Sequence, residues 1–290
     1  MGGAIVEKSY WDAAWRETPL PKGLNPRLGG GGNYVNRRFH EHFQKVFSKI
    51  DTKGKRLLEI GCARSIWLPY FAKEFGFDVY GVDYSEVGCR QALKMIRNEG
   101  VNGKVLCADF FSAPCFKPEQ FDVVVSFGLV EHFQDTAACI SALSAFLKPG
   151  GMMITSIPNM VGLIGFIEKM INRPVYEMHV PIDRKTLVQA HASSGLEVLE
   201  CDYFLFTNFG VCNLNGISRN SIGWVLKSVL LTALAQFSLA AWIAENKFGA
   251  LRPSPWMSPY IHCYARKPIR PVEKPVGAKG GASMIRWKAP

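Results

Sequence analysis

From residue 55 onward, short apolar runs alternate with stretches in which apolar residues return every three or four positions. Arg56–Ile60 ("RLLEI") reads as a strand, and Ile66–Phe75 as a helix with Trp67, Tyr70, Phe71 and Phe75 on one side. Asp78–Val82 is the next strand, ending at Asp83, and residues 85–98 are helical. Lys104–Ala108 is a third strand and Phe121–Phe127 a fourth, its "FDVVVSF" apolar enough for burial on both faces. A helix fits 136–147, stopped by "KPGG" at 148–151, and Met152–Ile157 makes a fifth strand. Leu196–Phe204 and Pro259–Arg266 are strand-like again. Strand and helix alternating in short steps predict an α/β fold, a doubly wound parallel sheet with right-handed crossovers and helices on both faces.

Two flanking regions follow a different pattern. Residues 1–50 form an aromatic, helical cover, with Trp11 and Trp15 on one helical face and Phe39, Phe43, Val46, Phe47 and Ile50 on another. They either pack on the sheet or close over a ligand. A hydrophobic insertion spans about 205–257 and contains "IGWVLKSVLLTALAQFSLAAWIA" at 222–244. There Ile222, Leu226, Val229, Leu230, Ala233, Phe237, Ala240 and Ala244 line up as one apolar stripe. A buried cap, a helix resting in a bilayer surface and a membrane span all fit this stripe, and the cap fits slightly best. Lys227 leaves the charge-free run just short of the ~20 residues a span needs.

Composition narrows the partners. Apolar residues make up 48% and charged residues 20%, which describes a globular core. The net charge is +10, but six of those charges lie from Arg266 onward, in a Pro-, Gly- and Lys-rich tail (267–290) that reads as disordered. The charge therefore marks a basic tail and no nucleic-acid groove. Eight cysteines with no C-x-x-C pair exclude a close-spaced zinc or dithiol site and suit a reducing cytoplasm. The first fifteen residues hold acids and no long apolar run, so no secretory leader is expected.

In an open parallel sheet, ligands bind beyond the carboxyl ends of the strands. The loop after the first strand reads Glu59-Ile60-Gly61-Cys62-Ala63-Arg64-Ser65. Gly61 supplies a tight turn, and Ala63 and Ser65 are small enough for close approach if their φ is negative. Arg64 points outward or reaches for a carboxylate. Asp83, at the end of the second strand, is placed to accept two ribose hydroxyls. Glycine and acid alone fit a dinucleotide enzyme equally well.

The following loops separate these readings. "CADFF" at 107–111, "FDVVVSFGLVEHF" at 121–133 and "LKPGGMMITSIPN" at 147–159 complete an ordered series. Together they resemble the class I S-adenosylmethionine-dependent methyltransferases, in the branch that includes the ubiquinone-type O-methyltransferases. The resemblance covers about residues 55–160 strongly and extends weakly to 200. It implies a Rossmann-like, mostly parallel sheet with an antiparallel last strand, the methyltransferase domain occupying 51–266. It implies S-adenosylmethionine as cofactor, with Glu59 and Gly61 at the methionine part, Asp83 at the ribose, and Ala63 and Tyr84 also among the cofactor-binding residues. Asp109 would reach the adenine amino group, and Phe110, Ser126 and Phe127 would line the pocket. The loop departs from the family's G-x-G-x-G.

Methyl transfer to a hydroxyl needs alignment, exclusion of water and a proton acceptor. Glu131 and His132, beyond the fourth strand, and His179 in "YEMHVP" are the candidates. Some relatives carry E-x-x-E-H with a distant His around a divalent ion; Gly128 stands where the first acid would be, so no metal ligand is assigned, and a site on Glu131, His132 and His179 alone stays open. The Asn/Asp-Pro-Pro-aromatic run of base N-methyltransferases is absent from this loop. The expected activity is methyl transfer to a hydroxyl of a small, fairly apolar acceptor. The expected location is cytoplasmic, and peripheral contact with a membrane surface through 222–244 and the basic tail stays open. A sugar, nitrogen or protein acceptor stays open, as does a non-catalytic scaffold that binds partners or membrane.

Overall fold

The computed structural model describes residues 3–48, 50–111, 115–219 and 221–269. Two helices precede the sheet, α1 (Lys8–Glu17) and α2 (Tyr34–Phe47). The first half of the sheet is then laid down as β1 (Arg56–Ile60), α3 (Trp67–Phe75), β2 (Asp78–Asp83), α4 (Glu86–Asn98), β3 (Gly103–Cys107) and β4 (Phe121–Phe127). The second half is α5 (Thr136–Ser144), β5 (Leu147–Pro158), α6 (Leu163–Ile171), α7 (Arg173–Glu177), α8 (Arg184–Ser193) and β6 (Glu197–Phe204). The long α9 (Ile222–Phe248) and β7 (Tyr260–Arg266) close the described chain.

The strands form one seven-stranded sheet in the order β3-β2-β1-β4-β5-β7-β6. Neighbours from β3 to β5 are parallel, and β7 runs antiparallel to both β5 and β6. This is the Rossmann-like arrangement with an antiparallel last strand that the family resemblance implies. The order reverses between β1 and β4, so the crevice for a ligand opens at their carboxyl ends. Strand alternation puts successive residues on opposite faces: Leu57 joins the core formed with Phe43, Phe71 and Ile154, while Leu58 joins Val124, Ile140 and Leu187 on the other face. Both side chains are fully buried, as a sheet covered on both faces requires.

Two expectations need correction. The helix over 136–147 ends at Ser144, and "KPGG" lies inside β5. Its register against β4 jumps from Phe121↔Leu147 to Val123↔Met152, so the extra residues leave the ladder as a bulge, held where Lys148 Nζ meets Asp122 at 2.9–3.0 Å. Pro-Gly-Gly marks an irregular strand here and no helix stop. The second correction concerns α9. Its apolar stripe is no buried cap: Ile222, Leu226, Val229, Leu230 and Phe237 all face outward. Hydropathy shows that a helix is apolar, but it does not show which neighbour covers it. Most of the basic tail, from residue 270 on, lies outside the described residues. All eight cysteines are free.

Candidate active site

The turn after β1 fixes one wall of a cavity of about 360 Å³ at the switch point, within the ~300–1,000 Å³ range of ligand pockets. Gly61 has φ +80°, and a Cβ there would stand 3.1 Å from Leu129 of the facing loop. Only glycine meets both conditions. The other left-handed residue of the turn is Arg64, at φ 57°, while Ala63 and Ser65 have no positive φ. The two positions that carry Ala and Ser in place of glycine therefore need no glycine. Arg64 reaches no carboxylate: its guanidinium donates to the Pro19 carbonyl and lies 5.2 Å from the Trp15 ring. Ser65 caps α3 by accepting from the N–H groups of Trp67 and Leu68, both at 3.0 Å, and donates to Glu59 at 2.5 Å. Burial pushes the Glu59 carboxyl up to about 8.

Asp83 ends β2 with one oxygen accepting from Ala63 N at 3.0 Å and the other from Ser85 N at 2.8 Å. Burial raises its carboxyl to about 6, and these two N–H groups oppose the rise. Each oxygen retains a lone pair. Tyr84, Asp109, Phe110 and Phe127 also line the cavity, and Asp109 accepts from Phe111 N at 2.9 Å.

The cover comes from the N-terminus. Ala4 pairs with Phe133 across a short bridge, and Ile5 N donates to His132 O at 2.9 Å. These contacts bring Ala4 and Val6 onto the cavity wall, together with Trp11 and Trp15 from α1. The two tryptophans stack at 5.3 Å, and Trp11 meets the His132 ring edge-on at 5.2 Å. Asp12 accepts from the Ser85 hydroxyl at 2.5 Å, and Gln91 donates to the Trp15 carbonyl at 2.8 Å, so α1 is fastened to α4. The two N-terminal helices thus divide the work. The phenylalanines of α2 are buried in the core, whereas α1 buries no residue fully and closes the cavity.

Glu131, His132 and His179 line the same cavity as a second group. A 3-10 turn over Val130–His132 carries the first two, and Val180 N, donating to Glu131 O at 2.7 Å, brings His179 alongside. The two imidazoles lie 4.7 Å apart. His132 Nδ1 is 2.7 Å from Met178 O, and His179 Nδ1 is 2.8 Å from Val175 O. A carbonyl only accepts, so each Nδ1 carries the hydrogen and each Nε2 keeps its lone pair. Burial lowers both rings, His132 to about 4, and raises the Glu131 carboxyl to about 8. At neutral pH this group is uncharged, with two proton-accepting nitrogens and one protonated acid. The ligand atoms of the three residues all lie within 4.8 Å of one another, a spacing that also suits a divalent cation.

A family model described as a methyltransferase domain matches residues 33–200. The chain belongs to the methyltransferase domain family. A ubiquinone biosynthesis O-methyltransferase of Sinorhizobium medicae is 31% identical over 160 residues, 54% of this chain and 61% of that protein. One from Saccharophagus degradans is 27% identical over 201 residues, 66% of this chain and 78% of that protein. The chain thus spans about three fifths of the length of the first of these relatives. Among solved structures, the geranyl diphosphate C-methyltransferase of Streptomyces coelicolor, in complex with Mg2+, geranyl diphosphate and S-adenosyl-L-homocysteine, aligns at a TM-score of 0.55 and 14% identity. It covers 90% of this chain and 97% of that one. At that identity the likeness is one of fold.

The cofactor of this methyltransferase family is S-adenosylmethionine, and the residues present fit it. Close backbone approach is available where a Cβ at Gly61 would crowd Leu129, and Asp83 faces the same space with spare lone pairs. Of the residues predicted for the cofactor, Gly61, Ala63, Asp83, Tyr84, Asp109, Phe110 and Phe127 line the cavity. Glu59 and Ser126 do not; both lie behind it, Glu59 on Ser65 and Ser126 almost wholly buried. Glu131, His132 and His179 line it as well. Sequence reasoning named no cavity role for Ala4, Val6, Leu129, Phe133 or Pro158. Pro158 ends the fifth strand and could have been inferred from position alone. Ala4 and Val6 carry no sequence signal, because their place depends on pairing with residues more than a hundred positions away.

Proposed function

We propose that the protein transfers a methyl group from S-adenosylmethionine to a hydroxyl of a small, fairly apolar acceptor. The observation that carries this reading is the presence, in the lining of one apolar-walled cavity, of both the Asp83 carboxylate and two neutral imidazoles. When bound, the cofactor supplies an electrophilic methyl group on a sulfonium. Asp83 would accept from its ribose hydroxyls, and Tyr84, Asp109 and Phe110 would flank the adenosine. The Trp11–Trp15 stack and residues 4–6 exclude water over the reaction space. His132 or His179 would take the acceptor proton on Nε2 as the oxygen–methyl bond replaces the methyl–sulfur bond, the neutral thioether being the leaving group, and the other ring would keep the first oriented through their contact. The ubiquinone-type relatives support oxygen as the methylated atom.

A second reading rests on the convergence of Glu131, His132 and His179. These side chains would hold a divalent cation that orients and acidifies the acceptor hydroxyl. One experiment tests both readings: labelled methyl transfer to a panel of phenols, amines and sugars, with and without prior chelation. Label on phenolic oxygen that survives chelation supports proton removal by histidine, and label lost on chelation and restored by added cation supports the second reading. Label on nitrogen or sugar overturns the hydroxyl assignment. Failure to bind S-adenosylhomocysteine in calorimetry overturns the cofactor reading altogether.

A further inference from the structure

The helix α9 is built inside out. Its buried residues are Ser238 and Glu245, whereas Ile222, Leu226 and Phe237 are 80%, 67% and 49% exposed. A helix packed on a protein in water presents the reverse pattern. The polar residues facing inward have defined tasks. Ser238 Oγ accepts from Phe209 N at 3.0 Å, and Glu245 accepts from Leu251 N at 3.0 Å. Trp242 Nε1 donates to Thr207 O at 2.9 Å and stacks on Tyr34. On the rest of the helix the hydroxyls turn back on their own backbone: Ser228 donates to Val225 O and Thr232 to Ser228 O, both at 2.8 Å. Hydroxyls satisfied in this way need no water, which suits an apolar medium.

The apolar face extends beyond one helix. Phe166 and Met170 of α6 are exposed, while Leu163 and Ile167 pack into the same small core as Leu231 and Leu234 of α9. Trp256, in the return to β7, is also exposed. Exposed apolar surface on this scale marks a docking face. By length and composition α9 could cross a membrane. Its bonds from Ser238 to Phe209 and from Trp242 to Thr207 instead hold its C-terminal half against the body, so it is placed to lie in an interface.

Charge identifies the occupant. Between residues 205 and 258 the basic residues are Arg219, Lys227, Lys247 and Arg252, and the single acid, Glu245, is buried. A second copy of the chain would bring like charges together across the face. An anionic lipid headgroup layer would neutralise them, and the aliphatic and aromatic side chains would enter the acyl boundary. We propose that the outward face of α9, with the exposed edge of α6 and Trp256, docks the protein on an anionic bilayer surface. This stands apart from the reading of the cavity, since none of these residues lines it.

The test is flotation of the full chain with phosphatidylcholine vesicles, with and without phosphatidylglycerol. Wild-type protein is expected to float with the anionic vesicles and much less with the neutral ones. The double variant Leu226→Asp/Phe237→Asp is expected to keep its melting midpoint and lose at least about tenfold in binding, the least that withdrawing two large apolar side chains should cost. Wild-type protein that floats with neither vesicle overturns the proposal. So does a dimer in solution that the double variant dissolves while flotation stays unchanged. If the double variant fails to fold, Arg219→Glu/Arg252→Glu decides the matter, because both residues are exposed. Reduced flotation of that variant supports the proposal, and unchanged flotation overturns it. Turnover of a water-soluble acceptor reads the cavity separately and is expected to be the same in all variants.

Discussion

Two parts of the cavity lining differ in how they are held, a cofactor end and a proton-accepting end set apart by their proposed roles toward the ligand. At the first, Asp83 sits on a strand terminus, each carboxylate oxygen already accepting a backbone N–H. At the second, Glu131, His132 and His179 stand on a 3-10 turn and just past a short helix, perturbed chiefly by burial. The two carboxyls respond differently to similar burial. Asp83 rises only to about 6, because several backbone N–H groups favour its charged form, while Glu131 rises to about 8 with one weak opposing contact. At neutral pH the first end carries a negative charge and the second carries none. Backbone donors supplied by a fold can thus hold an ion in a buried place, and side chains gathered from loops hold neutral acids and bases instead. A cofactor with ribose hydroxyls and a proton to be removed call for these two ends respectively.

Removing the bases tests the comparison most severely. His132→Ala/His179→Ala is expected to lower turnover on a hydroxyl acceptor by ~10²–10⁴. Affinity for the cofactor should hardly change, because Asp83 and the β1 turn are untouched. Steady-state kinetics beside calorimetry separates these effects. A near-wild-type rate would place the proton acceptor elsewhere and remove the functional contrast between the ends.

The Asp83 end has the next largest expected effect. Two hydrogen bonds to a charged group are worth ~1.5–3 kcal/mol each, so Asp83→Ala should weaken cofactor binding at least about tenfold, with turnover at saturating cofactor far less affected. A melting curve on the same sample accounts for the lost tie to Ala63 and Ser85. An unchanged dissociation constant would mean that the carboxylate serves only the loop.

Acidity gives a subtler test. As pH falls through about 6, Asp83 takes up a proton, and cofactor affinity is expected to drop by about tenfold per pH unit below that point. His132 stays neutral to about 4, so the rate at saturating cofactor should persist through the same window. Linkage to folding has the opposite sign. A carboxyl raised in the folded state contributes stability that is present below its unfolded value and is lost as pH rises through about 6, and Asp83→Asn should flatten that dependence. Affinity that stays constant from pH 7 to 5 would contradict the charge assigned to this end.

The same contrast explains what could be read from the chain. Gly61, Asp83 and Asp109 lie at strand ends, and a strand is local, so its terminus can be counted from the apolar run before it. The sheet and its antiparallel β7 were legible for that reason, through the order of the motifs. Residues 4–6 reach the cavity only by pairing with 132–134, and His179 meets His132 through Val180 and Glu131; such distant pairings leave no periodic trace. The α9 stripe was visible, but its partner was not, since an apolar face has the same pattern whether protein or lipid covers it. The "KPGG" bulge failed for a different reason, because Pro-Gly-Gly interrupts helices and strands alike.

The smallest expected effect asks whether the backbone alone shapes the Asp83 end. Ala63 stands at the second glycine of the G-x-G-x-G pattern that the sequence resembles, yet it has no positive φ, so glycine there would mainly gain freedom in the unfolded chain. Ala63→Gly is therefore expected to cost ~0.4–1 kcal/mol in denaturant unfolding and to leave the cofactor dissociation constant within about twofold. Its methyl group has a complement on α4, where a Cβ at Gly88 would meet Ala63 Cβ at 2.5 Å. Gly88→Ala alone should thus strain the loop against the helix. Combined with Ala63→Gly, most of that strain should vanish, since one methyl is exchanged for another across the contact. A double variant no better than Gly88→Ala would show that the remaining 3.1 Å approach to the Ala63 backbone sets the limit. The loop would then be held by main-chain packing more tightly than its hydrogen bonds to Asp83 imply.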